Sequence, residues 1–198
     1  MINEILDLDS GISLVYGEGG TGKTTLALML AYNYSKFSKV IFIDTENGFN
    51  FERFKQISQD NYKNCLKNIL LFKIKDFNEQ FKIIKNLENI GNISLVVIDT
   101  IGFYYRLELK NDFKFANNKM SDILKILNLL SKKNVKIFLT NQVYNNFNTN
   151  NLESVGGNLI KKFCNFIIKL EKNPRKIVME NTKIEYSFEI KNEGVKLI

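Results

Sequence analysis

The chain has 198 residues, enough for one domain with a sizeable buried core, and carries 28 Lys and Arg against 21 Asp and Glu. It contains no histidine, which excludes an imidazole base and any His-bearing zinc site within the chain itself. No run of about 18 apolar residues reads as a transmembrane helix and the N-terminus lacks the basic-then-apolar plan of a signal peptide, so a soluble, cytoplasmic protein with no membrane partner is expected.

Residues 1–10 read as a short lead-in punctuated by Glu4, Asp7 and Asp9, so 1–198 is expected to be a single domain. Ile12, Ser13, Leu14, Val15 and Tyr16 form a β-prone run. Then comes Gly17-Glu18-Gly19-Gly20-Thr21-Gly22-Lys23-Thr24-Thr25, which fits the phosphate-loop pattern Gly-x-x-x-x-Gly-Lys-Ser/Thr. Leu26, Leu28, Leu30 and Ala31 open a helix behind it, so strand, glycine loop and helix stand in the required order. Four glycines allow consecutive N–H groups to turn inward around an anion. Lys23 would face the β and γ phosphates of ATP, and the Thr24 hydroxyl would ligate Mg²⁺. The plain alternative is an ordinary Gly-rich turn.

Lys39, Val40, Ile41, Phe42 and Ile43 read as a buried parallel-type strand ending in Asp44-Thr45-Glu46-Asn47-Gly48. Phe51, Phe54 and Ile57 follow at helical spacing, then a strand at 69–72, then a helix marked by Phe77, Phe81, Ile84 and Leu87. Residues 93–98 are the most apolar strand and end at Asp99-Thr100; residues 101–119 mix aromatics and charges without clear period. Ile123 to Leu130 present a wide apolar helical face, and Val135 to Leu139 a strand closing on Thr140-Asn141-Gln142. Residues 143–155 are rich in Asn and read as a mobile loop. Strands at 166–170, 176–179 and 184–190 finish the chain, the last two antiparallel across Asn181-Thr182, with Pro174 in a turn. Cys65 and Cys164 lie far apart and read as buried apolar side chains.

The alternation implies an α/β fold: a mainly parallel central sheet flanked by helices, with an antiparallel C-terminal extension, whose strand ends gather polar residues at one rim. Gly17, Glu46, Asp99 and Gln142 each follow an apolar strand. Asp99 suits a carboxylate holding Mg²⁺, Glu46 an acceptor for the attacking water with Asp44 as competitor, and Gln142 an amide sensing the γ-phosphate. The plain alternative for each is an ordinary strand-end residue, and for Gln142 spacing alone hardly separates the two. Charge is uneven: residues 1–99 carry 11 Lys/Arg and 12 Asp/Glu, net −1, and residues 100–198 carry 17 and 9, net +8. That suggests a polyanion partner for the second half, or merely solvated lysines.

The phosphate loop, Ile43-Asp44-Thr45-Glu46-Asn47-Gly48-Phe49 with Glu52-Arg53, Val97-Ile98-Asp99-Thr100 with Tyr105-Arg106, Thr140-Asn141-Gln142-Val143 and Gly156-Gly157-Asn158 together resemble the ordered motif set of the RecA/RadA recombinase core. Nearly the whole chain is covered, and the chain looks most like the short archaeal paralogues of RadA in that family. The resemblance implies a RecA-like phosphate-loop NTPase core, ATP and Mg²⁺ as cofactors, and a role in homologous recombination and DNA repair beside a RadA-type recombinase. It implies that Glu46 activates water, that Arg53 flanks the adenine, that Gln142 links nucleotide to DNA binding, and that the segments 103–119 and 143–155 contact DNA. Read from the residues, Phe103, Tyr104 and Tyr105 beside Arg106, Lys110 and Lys114 combine stacking faces with cations, as binding of single-stranded DNA needs. The second segment offers Tyr144 and Phe147 but no Lys or Arg, so its cations would be Lys161 and Lys162. Phe103 and Tyr105 could instead pack into the core.

RadA-type recombinases carry an N-terminal domain and a Phe-x-x-Ala polymerisation motif ahead of the core, for which ten residues leave no room. Their ATP-capping proline segment has no match near Asn181-Thr182-Lys183. Slow ATP turnover, with nucleotide as a conformational ligand, is therefore expected, and a homodimer remains compatible with the sequence. Two rivals stay open: a DNA-stimulated strand-exchange enzyme, and a single-domain KaiC-like signalling ATPase.

Overall fold

In this computed structural model, residues 11–146 and 151–198 are described; the lead-in 1–10 and Phe147 lie outside the described residues. The strands are β1 (Ile12–Gly17), β2 (Lys39–Asp44), β3 (Ile69–Lys73), β4 (Ile93–Asp99), β5 (Lys136–Asn141), β6 (Val143–Asn146), β7 (Asn151–Ser154), β8 (Phe166–Lys172), β9 (Arg175–Met179), β10 (Glu185–Lys191) and β11 (Gly194–Leu197). The helices are α1 (Lys23–Ser35), α2 (Phe51–Ser58), α3 (Tyr62–Leu66), α4 (Phe77–Asn86), α5 (Phe103–Glu108), α6 (Phe113–Ser131) and α7 (Gly157–Lys161). Among the described residues nine strands make one sheet in the order β11-β10-β9-β8-β1-β5-β4-β2-β3. From β8 to β3 every pairing is parallel, and β9, β10 and β11 extend the sheet antiparallel.

Apolar packing on both faces explains why the central strands read as continuous hydrophobic runs. On one face Ile12, Leu14, Ile41, Ile43, Val96, Ile98, Ile137 and Leu139 meet α4 and α6; on the other Val15, Val40, Phe42, Leu95, Val97 and Phe138 meet α1 and α2. Successive residues of a strand point to opposite faces, so each run fills both cores at once. All the parallel strands end on the same side, and β1, β2, β4 and β5 deliver the phosphate loop, Asp44, Asp99 and Asn141 there.

Three expectations need correction. Residues 143–155 are not a loop throughout: β6 and β7 pair antiparallel, with Val143 opposite Ser154 and Tyr144 opposite Glu153. Cross-strand hydrogen bonds there outweigh the weak strand preference of Asn. Residues 101–119 hold α5 and the first turns of α6, which begins ten residues ahead of its periodic face because Asp112 caps it, accepting the Phe115 N–H at 2.8 Å. Cys65 is buried as expected, but Cys164 is only half-buried, its thiol donating to the Ile160 carbonyl at 3.2 Å.

The C-terminal strands are tied to β1 by a polar cluster as well as by the ladder. The Tyr16 hydroxyl donates to Glu180, and Lys161 Nζ donates to both Glu180 oxygens at 2.8 and 3.1 Å. Burial pushes the Glu180 carboxyl up, but the bonds from Lys161 and Tyr16 outweigh it and hold the group below its ordinary 4.5. A carboxyl depressed in the folded state adds stability above its unfolded pKa and loses it as pH falls through the lower folded value. Glu180→Gln is therefore expected to flatten the fall of unfolding free energy with acidification below about pH 4.5, followed by urea titrations at several pH values. Phe138 has no exposed surface in the core between the sheet and α1, and Phe138→Ala should cost about 3–5 kcal/mol in the same titration at neutral pH.

Candidate functional site

The loop after β1 is shaped by two glycines in the left-handed region, Gly20 (φ 77°) and Gly22 (φ 107°), and by Gly17, where a Cβ would stand 2.4 Å from the Leu170 carbonyl oxygen. Thr21 is buried and braces the loop, donating its hydroxyl to the Glu18 carbonyl at 2.9 Å, whereas Glu18 and Gly19 face solvent. Gly22 supplies no side-chain cap, so α1 opens toward the loop with its backbone N–H groups. Lys23, at the first position of α1, is buried and bends back into the loop, donating to the Gly17 and Glu18 carbonyls at 2.8 Å each. Burial lowers its pKa, against the pull of Asp99, Glu46 and Glu18. Gly20, Gly22, Lys23, Thr24, Thr25 and Ile190 line a cavity of about 210 Å³. Ile190 was not legible as a site residue, because only the folding of β10 back over α1 brings it there.

Beside Lys23 the strand-end acids meet. Asp99 Oδ2 accepts the Thr24 hydroxyl at 2.8 Å, and its other oxygen accepts the Thr140 hydroxyl. Burial raises the Asp99 pKa, opposed by those two bonds and reinforced by the charges of Asp44 and Glu46. Glu46 Oε1 accepts the Thr100 hydroxyl at 2.7 Å and Oε2 accepts the Gln142 amide at 2.6 Å, so Glu46 and Gln142 meet directly. Asp44 is the weaker candidate base on geometry. Both its oxygens are taken by the backbone N–H groups of Glu46, Gly48 and Phe49 at 2.9–3.3 Å, which caps the turn. Thr100 and Thr140 escaped sequence reasoning, although their position beside Asp99 and Asn141 was a usable clue. Asn141 completes the rim: its amide donates to the Val155 carbonyl at 2.6 Å and its oxygen accepts the Gln142 N–H at 3.0 Å. The Arg53 guanidinium donates to the Lys191 and Asn192 carbonyls at 2.7 and 3.1 Å and so holds the β10–β11 turn, the hairpin that carries Ile190.

The residues read as DNA contacts divide. Arg106, Lys110, Lys114 and Lys162 are exposed, and Tyr144 is 42 % exposed with its hydroxyl donating to Glu153 at 3.2 Å. Tyr105 is not a stacking face: it is buried against Phe77, ring centroids 6.2 Å apart, and donates to Asn117 at 3.0 Å. Tyr104 is half-buried and anchored by its hydroxyl to the Ile74 carbonyl at 2.8 Å. Lys161 is no free cation, since it pairs with Glu180. In their place Phe113, 72 % exposed, and Phe115, 40 % exposed, stand among the exposed cations at the start of α6. The start of α5 adjoins the hairpin base: a Cβ on Gly102 would lie 3.0 Å from Val155, and one on Gly156 3.2 Å from Tyr105.

The sequence matches the Rad51 family over residues 8–196. It is 39% identical over 181 residues to the DNA repair and recombination protein RadB of Methanocaldococcus jannaschii, covering 87% of this chain and 84% of that protein. It is 34% identical over 171 residues to the RadB of Methanococcoides burtonii, covering 83% and 76%. A crystal structure of the RadB recombinase superposes with a TM-score of 0.82 at 27% identity, covering 100% of this chain and 96% of that one. With a family match over nearly the whole chain, relatives at up to 39% identity and a fold shared from end to end, the chain belongs to the Rad51 family, in its RadB branch.

Proposed function

We propose that this chain is an ATP- and DNA-binding accessory protein of homologous recombination and DNA repair that acts beside a RadA-type recombinase and hydrolyses ATP slowly. The observation that carries the reading is the hydrogen-bonded line from Thr24 through Asp99 to Thr140, with Glu46 joined to Gln142 at its side and Asn141 holding Val155. The residues fit the cofactors. A glycine loop that leaves no room for a Cβ at Gly17, a buried lysine and an uncapped helix start suit a triphosphate, and the hydroxyl of Thr24 with the Asp99 carboxylate are the hard oxygen ligands that Mg²⁺ takes alongside water and phosphate. Bound Mg²⁺ would neutralise charge on the phosphates.

In this reading Lys23 gives up its carbonyl partners to bind phosphate oxygens, and Glu46 accepts a proton from water. Each Glu46 oxygen accepts one hydrogen bond, from Thr100 or from Gln142, and keeps a lone pair for the water. The bond from Gln142 to Glu46 ties the state of the site to Gln142, whose backbone carbonyl accepts the Val155 N–H at 3.0 Å and so joins the β6–β7 hairpin. The exposed Arg106, Lys110, Lys114 and Lys162 neutralise phosphates of a single strand, and Phe113 and Tyr144 offer faces for bases.

Two measurements test this. Lys23→Ala should abolish saturable binding of a fluorescent ATP analogue, whereas Glu46→Gln should still bind it and turn over roughly 100-fold more slowly; equal hydrolysis by Glu46→Gln and the parent would remove Glu46 from the role. In titrations with single-stranded DNA at two salt concentrations, replacing Arg106, Lys110 and Lys114 by Ala should reduce the log–log salt slope by about 0.7 for each phosphate that is no longer neutralised. Salt-independent DNA binding, or none, would favour the signalling-ATPase alternative.

A further inference from the structure

The β8–β9 turn, Asn173 and Pro174, sets Lys172 and Arg175 directly opposite each other in register. Like charges facing each other across a strand pair are destabilising. Elsewhere this part of the sheet sets opposite charges across the strands: Glu171 stands opposite Lys176 in register, and Lys176 bonds Glu185 on the next strand at 2.8 Å. Lys172 has no acidic partner among the described residues. Both cations instead lean on the phosphate loop. Arg175 Nη1 donates to the Gly20 carbonyl at 3.1 Å, and Lys172 Nζ stands 3.5 Å from where a Cβ on Gly20 would be. Lys172 also lines, with Gly17, Glu18 and Asn173, a cavity of about 290 Å³ next to the loop.

Lys172, Arg175 and the opening turn of α1 therefore add positive charge to the glycine loop beside Lys23, on which the charges of Asp99, Glu46 and Glu18 act. Such an arrangement is unfavourable by itself and becomes favourable once a polyanion lies among the cations.

We propose that Lys172 contacts the phosphate chain of the nucleotide from within the same subunit, with Arg175 as the residue that positions the turn against the loop, and that the pair makes the site favour nucleotides with more phosphates. The proposal rests on the nucleotide reading given above. Arg175 spends its donor on the Gly20 carbonyl, which fixes the distance between turn and loop. The Lys172 ammonium, with three donors on a flexible stem, is left to reach phosphate oxygens. The same ammonium could serve a nucleic-acid phosphate, so the test includes that ligand.

The experiment titrates the full chain and its variants with fluorescent ATP, ADP and AMP analogues in Mg²⁺, and with a single-stranded oligonucleotide. Lys172→Ala should weaken ATP binding about tenfold, ADP less and AMP hardly at all, with oligonucleotide affinity and the thermal midpoint of the nucleotide-free protein unchanged. Arg175→Ala should weaken ATP binding as well, and Arg175→Lys, which keeps a donor for Gly20, should restore most of it. Lys176→Ala, in the same hairpin but paired with Glu185, should bind like the parent. If the parent binds ATP and Lys172→Ala binds it equally well, or if only oligonucleotide binding falls, the contact is refuted while the nucleotide reading stands. If the parent binds no nucleotide, the reading itself fails and takes this inference with it.

Discussion

A buried carboxylate between two hydroxyls is the interaction on which the site depends. Asp99 ends β4 with 3 % of its surface exposed, and it is held by Thr24 from the helix behind the phosphate loop and by Thr140 from the neighbouring strand. An isolated carboxylate could not sit there, because desolvation would cost more than the fold could recover. Two hydroxyl donors and the nearby Lys23 ammonium make it tenable, and the charges of Asp44 and Glu46 keep it under electrostatic load. Loop, helix and sheet are thereby locked into one arrangement, since moving any of the three would strand the charge.

Around that carboxylate the chain distributes distinct jobs to neighbouring acids by environment. Asp44 lies opposite Asp99 in register on β2 but is consumed by backbone N–H groups, so it shapes the turn. Glu46, two residues later, is half-buried and bonded only by side chains that can swing aside, Thr100 and Gln142. The difference between a turn-capping acid and an acid open to exchange is one of donors, and no difference in residue type announces it. Through Gln142 and Asn141 the rim continues to Val155 and the β6–β7 hairpin, so the chemistry of the loop and the position of the hairpin share a hydrogen-bonded frame.

The outer face shows why composition alone misjudged the aromatic residues. Tyr104 and Tyr105 stand beside Arg106 in sequence, yet α5 is a helix, and a helix sends neighbours in different directions: Tyr105 into the core, Tyr104 to the Ile74 carbonyl, Arg106 to solvent. The exposed rings come from the next helix, at Phe113 and Phe115. Lys161 and Lys162 likewise look equivalent on paper, but Glu180 takes the first and leaves the second in solvent.

The sequence by itself determined the alternation of strand and helix, the parallel sheet, the phosphate loop and the gathering of Lys23, Glu46, Asp99 and Gln142 at one rim. These are local or periodic properties: glycine conformations, apolar runs buried on both faces, and the rule that parallel strands end on the same side. The tertiary structure alone decided that Glu46 bonds Gln142 across 96 residues, that Thr100 and Thr140 support the acids, that Arg53 holds the β10–β11 turn, and that Lys172 and Arg175 lie on the glycine loop. Those partners are distant along the chain and carry no period. They exist because nine strands were ordered side by side, and that order is set by packing both faces of the sheet at once rather than by any segment's own preference.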